Sequence, residues 1–460
     1  MKTSIFKKPK GKWTDLRPLF SRVFETTALV SMISIFLLAV SCEKTPEPAS
    51  ESELIQILDI KGADDELATK NLMKGEERFA FTLLAKITDK RKNENVFLSP
   101  FGISQALSFV FGGSTGETRR EIAQVLGLDG NSRDMADAVY ALIANRLSHP
   151  RRFHFETERS SEKDVHRDFV VENRLWIGRS CRFQKDFLFR GLRYYGASPM
   201  DLNQNVRERQ REVYDVRENP DPDAVRIENE VRFAWTWSEK FNKSLTVEED
   251  FHLLDGNVKK HPMMRMKKSL RYAEDSMFQA VALPYGALPN SINGLNMYVF
   301  LPRKNMSLKT LIERFAAESP FAGDVFFIED EGKVVLPKFM AKSKLTLKDS
   351  LSAMGIKRAF DRKHAEFPNL GDCQGQGVYI DEIYHNGTIE VVEDGTRAYA
   401  STLVIISTMG IEKAGPEYSG FEMIVDRPFL IVIRDDDSGA ILFFGAIFNP
   451  EKVEAGSVDL

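Results

Sequence analysis

Residues 112–116 (GGSTG) are the first stretch whose residue types and spacing could do chemistry. They match G-x-S-x-G, the pattern that holds a nucleophilic serine on a sharp turn between a strand and a helix in hydrolases. Here the segments on both sides of Ser114, residues 106–111 and 117–126, have helical patterns. We therefore predict a glycine-containing connection between two helices, and a hydrolase that uses Ser114 is the least favoured hypothesis.

Cysteine and histidine add little further chemistry. The chain has three cysteines, Cys42, Cys181 and Cys373, and seven histidines. None has the spacing of a metal site, and neither a P-loop nor a G-x-G-x-x-G motif is present. We predict no metal, no cofactor and no catalytic residues, and we expect Cys181 and Cys373 to be free thiols.

The overall composition is that of a soluble globular protein. Of the 460 residues, 43% are hydrophobic and 28% are charged, which excludes low-complexity and collagen-like classes. The 63 Lys and Arg against 67 Asp and Glu give a net charge of −4, so there is no electrostatic case for nucleic-acid binding.

The N-terminus resembles an export signal. Basic residues precede an apolar run at residues 27–40, which is too short to span a bilayer. Residues 37–42 (LLAVSC) resemble a bacterial lipobox, in which the chain is cut before Cys42 and the thiol then carries lipid. We predict a lipoprotein-type signal peptide at residues 1–41 and an acidic tether at residues 42–71. An ordinary buried cysteine near a signal anchor is the alternative.

The elements that follow predict an α+β protein. A helix is expected from about residue 72, where Phe79, Leu83 and Ile87 lie four apart on one face,. Further helices are expected at residues 103–111 and 135–147. The predicted strands are residues 170–177, 278–283, 297–301, 334–336, 378–383, 430–433 and 441–448,. Helices come mainly first and strands mainly after them, which favours one large α+β domain at residues 72–450 with a tail at 451–460.

Motifs in the same order along this domain resemble the serpin family of serine protease inhibitors. They are NVFLSPFGISQAL (95–107), NRLW (173–176), ENEVRFAWTW (228–237), LPKF (336–339), LSAMGI (351–356), DRPFL (426–430) and GAILFFG (439–445). The resemblance covers residues 72–450. It implies the serpin fold, in which helices pack around a large central mixed β-sheet, with further sheets and an exposed reactive-centre loop.

The resemblance also implies a mechanism. A serpin presents its loop, here about residues 393–420, as a substrate, and the protease forms an acyl-enzyme with it. The cut loop then inserts into the central sheet as an extra strand and distorts the attached protease. A protein of this kind is an inhibitor and not an enzyme.

Residues 390–402 (EVVEDGTRAYAST) look like the hinge of an inhibitory serpin. Alternate residues of an inserting strand face the core, so one parity must be small. Arg397 and Tyr399 have the outward parity, where size is tolerated, although Tyr399 departs from the usual Ala. The residues carried over as the hinge are Glu393, Gly395, Thr396, Ala398 and Ala400.

The position of the reactive bond follows from the family's usual spacing. Counting roughly seventeen residues from Glu393 gives Met409, followed by Gly410. Methionine suits chymotrypsin-like or elastase-like proteases, and papain-like proteases are a further possibility. The stretch that follows is longer than usual, so Lys413 is the alternative, and it would suit trypsin-like enzymes.

Other positions carry over to the opening of the sheet. Ser99, Asn229 and His385 match the hydrogen-bonding cluster beneath it, and Trp237 matches the aromatic residue where insertion starts. Gly102 stands where the family generally has Ser, so one hydroxyl group is missing.

The region at residues 202–229 resembles the family least. Serpins usually have a helix and its return loop here, and this chain is shorter; residues 204–214 could form a short charged helix. This shortening motivates the alternative hypothesis, a non-inhibitory serpin that acts as a surface binding protein. In either case we expect a monomer, anchored by lipid on Cys42 to a membrane of the bacterial cell envelope and surface-exposed or extracellular.

Overall fold

The fold is described by a computed structural model. It describes residues 53, 65–128, 133–148, 167–177, 182–196, 198–201, 224–286, 294–321, 327–373, 375, 377–398 and 420–453. These residues belong to one unit, residues 48–460. The predicted signal peptide and Cys42 lie outside the described residues, as do the predicted helix at 204–214 and the loop at 399–419.

The helices lie mainly in the first half of the chain. They are α1 (Asp65–Lys90), α2 (Pro100–Gly113), α3 (Gly116–Leu126), α4 (Arg133–Ser148), α5 (Lys185–Tyr195), α6 (Leu308–Ala317) and α7 (Lys348–Met354). The predicted face of α1 is buried, with Phe79, Leu83 and Ile87 at most 3% exposed. This helix begins at Asp65, ahead of the predicted start. None of these described helices combines the length and the apolar composition needed to cross a bilayer.

The GGSTG segment connects α2 to α3, as the sequence predicts. The hydroxyl group of Ser114 is buried and donates to the Phe111 carbonyl oxygen at 2.7 Å, so it is part of the end of α2. Gly116 has φ +53°, and a side chain there would collide with the Glu366 carboxylate. That carboxylate accepts the backbone N–H groups of Glu117 and Thr118 at the start of α3. The residues of this motif therefore shape a helix connection.

The strands follow the predicted apolar runs and add several that composition did not indicate. They are β1 (Val96–Leu98), β2 (Arg167–Ile177), β3 (Arg182–Phe183), β4 (Ser198–Asp201), β5 (Ala224–Thr236), β6 (Val247–His252), β7 (Val258–Glu274), β8 (Phe278–Pro284), β9 (Leu295–Pro302), β10 (Ile328–Pro337), β11 (Phe339–Thr346), β12 (Gly371–Asp372), β13 (Tyr379–Val392), β14 (Gly395–Ala398), β15 (Phe421–Ile424), β16 (Phe429–Asp435) and β17 (Ile441–Ile447). Strand β5 begins at Ala224, inside the region where a helix and its return loop were expected.

Two large sheets organise these strands. The first has nine strands and includes β8, β9, β16 and β17, in which almost every side chain is buried. Helix α1 packs on it through Phe81, whose ring lies 4.7 Å from that of Phe444 between centroids. The second sheet has six strands in the order β11-β13-β14-β5-β2-β4. This mixed sheet carries the candidate functional site.

One expectation is wrong. Cys373 is not a free thiol but is bonded in a disulfide, and it is 1% exposed. It directly follows β12, which pairs antiparallel with β3. This contact joins segments that are far apart in the sequence, and for that reason the spacing of the cysteines gave no sign of it.

Candidate functional site

The site lies where β14 enters the six-stranded sheet between β13 and β5. Strand β14 is antiparallel to both neighbours. Gly395 pairs with Val392 on one side and with Thr236 on the other, and Ala398 pairs with Ile389 and Phe233. The first four residues after the hinge turn therefore already form an inserted strand.

The turn into β14 consists of Glu393 and Asp394, and both side chains are only 4% exposed. The Glu393 carboxylate lies 3.0 Å from the Lys338 ammonium nitrogen and accepts the Thr246 hydroxyl group at 2.9 Å. The Asp394 carboxylate lies 2.7 Å from the ammonium nitrogen of Lys243. A buried carboxylate is costly unless it is paired, so these cations stabilise the turn.

The backbone of the turn is satisfied as well. The carbonyl oxygens of Glu393 and Asp394 accept from the backbone N–H groups of Phe241 and Trp237 at 3.0 and 3.1 Å. The Trp237 indole Nε1 donates to the Val392 carbonyl oxygen at 2.9 Å. Trp237 thus ties the last residue of β13 and the turn to the end of β5.

Two consecutive residues of β14, Thr396 and Arg397, show how its side chains alternate between the two faces of the sheet. Thr396 is completely buried, and its hydroxyl oxygen accepts from the Tyr285 phenol at 2.8 Å. Burial raises the pKa of Tyr285 well above its usual range, so this phenol remains a donor,. Tyr285 also stacks on Trp237 with ring centroids 4.5 Å apart. Arg397 has the opposite parity; its side chain is 14% exposed and lies near Glu390, which is the alternation that the sequence predicts.

At the other end of the same strands, β13 and β5 pair directly and in parallel. These direct pairs run from Tyr379 opposite Ala224 to His385 opposite Asn229. From Ile389 and Phe233 onward, β14 separates the two strands. We call the β14 end the open end and the directly paired end the closed end.

His385 is the last directly paired residue of β13. Its ring is 1% exposed, and its Nε2 accepts the Ser99 backbone N–H at 2.9 Å. Burial lowers the pKa of His385 to about 4, so the ring is neutral near pH 7,. The Ser99 hydroxyl oxygen in turn accepts the Gly102 backbone N–H at 3.1 Å and caps α2. The closed end is thereby joined to the start of a buried helix.

The carried-over residues therefore fall into two groups. Ser99 and His385 are in contact, and the backbone of Asn229 lies opposite His385. Trp237 lies at the open end, eight residues after Asn229 and directly beyond the end of β5, beside the hinge. The backbone of Ala398 is paired in β14. Five of the predicted site residues lie outside the described part of the chain: Ala400, Met409, Gly410, Lys413 and Cys42.

Sequence reasoning missed several residues of the open end. Lys338 and Lys243 neutralise the buried turn, and Tyr285 holds Thr396. A single Lys or Tyr has no distinctive spacing, so only the fold brings these side chains to the hinge. Within the described residues, no group of three or more His, Cys, Asp or Glu side chains is placed to hold a metal ion.

Comparison with solved structures places this fold among known ones. A crystal structure of the thermophilic serpin tengpin in its native state aligns with a TM-score of 0.67 and 22% identity. The alignment covers 82% of this chain and 94% of tengpin.

Comparison of sequences extends the likeness. The chain is 26% identical over 412 residues to a serpin-like protein of Methanosarcina acetivorans, covering 84% of this chain and 88% of that one. It is 29% identical over 396 residues to a serpin-like protein of Thermococcus kodakarensis, covering 81% and 84%. The family model described as "Serpin (serine protease inhibitor)" matches residues 74–450. With that match over most of its length, the chain belongs to the serpin family.

Proposed function

We propose that this protein inhibits serine-type endopeptidases as a suicide substrate, by inserting its cleaved loop into the six-stranded sheet. Serpins are mostly protease inhibitors rather than enzymes, and the family membership supports an inhibitory role. The observation that carries the proposal is β14, which already occupies the start of the insertion path between β13 and β5.

The register of the strands supports further insertion without any shift. Val392 and Thr236 both pair with Gly395, and His385 and Asn229 pair with each other. The difference in residue number between the two strands is the same in both cases, so the register does not change along the path. A loop extended along this path would bring Thr402 between His385 and Asn229. Each step replaces one direct pairing by two new ones, so insertion gains ladder hydrogen bonds as it proceeds.

The same register bears on the reactive bond. Continued to Glu382 and Arg226, the last pair before an irregularity in the ladder, it places Ile405 between the strands. A cleaved loop that fills the path therefore ends shortly after Ile405, which would leave an ester on Met409 just beyond the end of the inserted strand. This count favours Met409 over Lys413, because cleavage at Lys413 would leave a longer uninserted segment.

The chemistry of the trap belongs to the protease. Its nucleophile attacks the Met409 carbonyl carbon, the amine of Gly410 leaves, and an acyl-enzyme remains. Insertion then pulls the attached protease away from its docking position. Loss of one oxyanion-hole donor costs about 10²–10³ in rate, so a small distortion is enough to preserve the ester.

We also propose that the protein is an exported lipoprotein, held by lipid on Cys42 at the bacterial cell envelope, with residues 1–41 as its signal peptide. The disulfide of Cys373 supports export, because disulfides persist mainly outside the reducing cytosol,. Metabolic labelling with a fatty acid tests this proposal. Label on the wild-type chain but not on Cys42→Ala is expected, and equal labelling would contradict it.

The inhibitory proposal is tested by incubating the full chain with chymotrypsin-like, elastase-like and trypsin-like proteases. A complex that survives SDS is expected with the first two classes, and mass spectrometry should place the ester on Met409. Met409→Asp should abolish the complex, whereas the matched control Lys413→Asp should keep it. Simple cleavage that leaves every protease active would refute the proposal.

A non-inhibitory surface binding protein is the second candidate, favoured by the shortness of the region at residues 202–229. A thermal melt separates the two. An inhibitory chain should gain stability sharply once its loop is cut, because insertion completes the sheet, whereas a non-inhibitory chain should show little change.

A further inference from the structure

Lys338 is the one residue that carries the chain from the first large sheet to the second. Strand β10 of the nine-stranded sheet ends at Pro337, and β11 of the six-stranded sheet begins at Phe339. Phe339 already pairs with Val391 of β13, two residues before Glu393. The Lys338 ammonium nitrogen lies 3.0 Å from the Glu393 carboxylate. The backbone of this crossover residue therefore determines where the cationic partner of the hinge turn stands.

Both backbone polar groups of Lys338 are bound by strand β7. The Lys338 backbone N–H donates to the Pro262 carbonyl oxygen at 2.9 Å. The Lys338 carbonyl oxygen lies 2.9 Å from Nε2 of the His261 ring. Since a carbonyl oxygen can only accept a hydrogen bond, Nε2 carries the proton and donates it. Two consecutive residues of β7 thus hold the crossover, one through its backbone and the other through its side chain.

The ring of His261 is directed at Lys338. It is completely buried and lies beside Phe251, with ring centroids 6.4 Å apart. Its second nitrogen, Nδ1, has no hydrogen-bond partner among the described residues. Burial lowers the pKa of His261 to about 4, so the ring is neutral near pH 7,. Buried polar side chains usually satisfy all of their polar atoms, whereas this one satisfies only the atom that faces Lys338.

We propose that His261 is a positioning residue for loop insertion, which fixes the backbone of Lys338 and thereby keeps the ammonium group on the hinge turn. A lysine side chain is long and flexible, and it loses rotamer freedom when it is held on a carboxylate. Holding the backbone on both sides limits the directions that the side chain can take. The effect on inhibition rests on the proposed function, whereas the effect on the hinge turn does not.

Loss of this restraint has a defined consequence for the hinge. The Glu393 side chain is only 4% exposed, and a buried carboxylate without its cation is costly, so the turn would open to hydrate it. Opening would weaken the seat of β14, which begins at Gly395. A loop whose first strand is not seated inserts more slowly, and the protease gains time to complete hydrolysis. His261 would therefore raise the share of protease that is trapped.

The hinge is tested first, on the full chain at pH 7 and without any protease. Amide hydrogen exchange is measured by mass spectrometry on the peptide that covers residues 391–398. In His261→Val, which removes the donor but keeps an apolar side chain, exchange there should be about fivefold faster or more. In His261→Gln, whose side-chain amide can still donate to the Lys338 carbonyl oxygen, it should match the wild type.

Two outcomes of this experiment would overturn the proposal. Equal exchange in His261→Val and the wild type would show that the ring does not hold the hinge. Fast exchange in both variants would show that the donated hydrogen bond is not what matters. The matched control is Leu270→Val, a buried substitution nine residues further along β7. It should lower stability against urea and leave exchange at the hinge unchanged, and faster hinge exchange in this variant too would also count against the proposal.

The route through Lys338 is tested with a protease that forms the SDS-stable complex. The ratio of cleaved to complexed chain should rise about threefold or more in His261→Val, and it should also rise in Lys338→Met. The double variant should be no worse than Lys338→Met alone, because His261 acts only through that ammonium group. Additive effects of the two substitutions would overturn this route.

The inhibitory proposal can fail separately. If the wild type forms no complex with any protease, inhibition is refuted, while the exchange experiment still decides whether His261 holds the hinge. If the complex forms and both the exchange and the ratio are unchanged in His261→Val, only the positioning role is refuted.

Discussion

At the open end of β5 and β13 a third strand already lies between them, whereas at the closed end the two strands pair directly. The open end is stabilised by charges, with Glu393 and Asp394 facing lysines that reach the solvent. The closed end relies on the neutral, fully enclosed His385 and on one hydrogen bond from Ser99. Under the mechanism we propose, insertion would continue from the open end, and the directly paired residues of the closed end would have to separate.

The largest expected effect comes from Thr396→Arg at the open end. The side chain of Thr396 is fully buried, so an arginine there would bury an unpaired charge and expel β14 from the sheet. We expect the SDS-stable protease complex to disappear and the loop to be cut as a substrate. Arg397→Ala, at the neighbouring position of opposite parity, should keep the complex. A complex that forms equally with both variants would contradict the assigned path of insertion.

The closed end should respond to acid. The pKa of His385 is lowered to about 4 in the fold from about 6.5, so the unfolded chain binds the proton more readily. The contribution of the neutral His385 ring to the free energy of unfolding is therefore complete above pH 6.5. It is lost as the pH falls from 6.5 toward 4, by up to about 3 kcal/mol. Urea unfolding of the wild type and of His385→Asn across this range measures the difference.

His261 is a second buried histidine whose pKa burial lowers to about 4, so part of the acid effect should remain in His385→Asn. His261→Asn gives the matched comparison, because it should remove the other part of the acid effect. If His385→Asn kept the full pH dependence of the wild type, the neutral ring would not be what holds the closed end.

A smaller effect is expected from Lys338→Met at the open end. Removing the ammonium group leaves the buried Glu393 carboxylate without its 3.0 Å partner, and we expect a loss of about 1–3 kcal/mol in unfolding free energy, since Lys338 is partly exposed. The control is Lys333→Met, which breaks the exposed pair with Glu422 and should cost about 1 kcal/mol or less. Equal losses of unfolding free energy in the two variants would show that burial of the Glu393 carboxylate does not strengthen its ion pair with Lys338.

The smallest effect should come from Trp237→Phe. The ring can still stack on Tyr285, but the hydrogen bond from Nε1 to the Val392 carbonyl oxygen is lost. We expect a loss of about 1 kcal/mol in denaturant unfolding. Trp235→Phe, in β5 two residues before Trp237, provides the comparison. A loss well above that of the control would show that Trp237 contributes more than this single bond.

The sequence predicted the α+β fold and the buried strands well, because apolar runs such as residues 430–433 and 441–448 leave no other place for their side chains. It did not indicate β7, a strand of 17 residues in which pairs of lysines flank the buried Met263, Met264 and Met266. The motifs of the hinge were recognisable because small residues must recur at every second position.

The remaining parts of the site depend on contacts between distant segments. Nothing in the surroundings of Lys338 or Tyr285 in the sequence points to the hinge, since each reaches it only through the pairing of the sheets. The disulfide of Cys373 was missed for the same reason. Its neighbour β12 meets β3 across nearly two hundred residues of chain.

The short strand β14 also has a consequence for encounters between copies of this protein. Two parted strands with free N–H and C=O groups would be a template for any extended segment, including the loop of a second molecule. Because β14 pairs with β13 on one side and β5 on the other, both of these edges are already occupied at the open end. The chain's own hinge therefore protects the sheet from strand addition by its neighbours, and chain-to-chain polymerisation would first have to displace it.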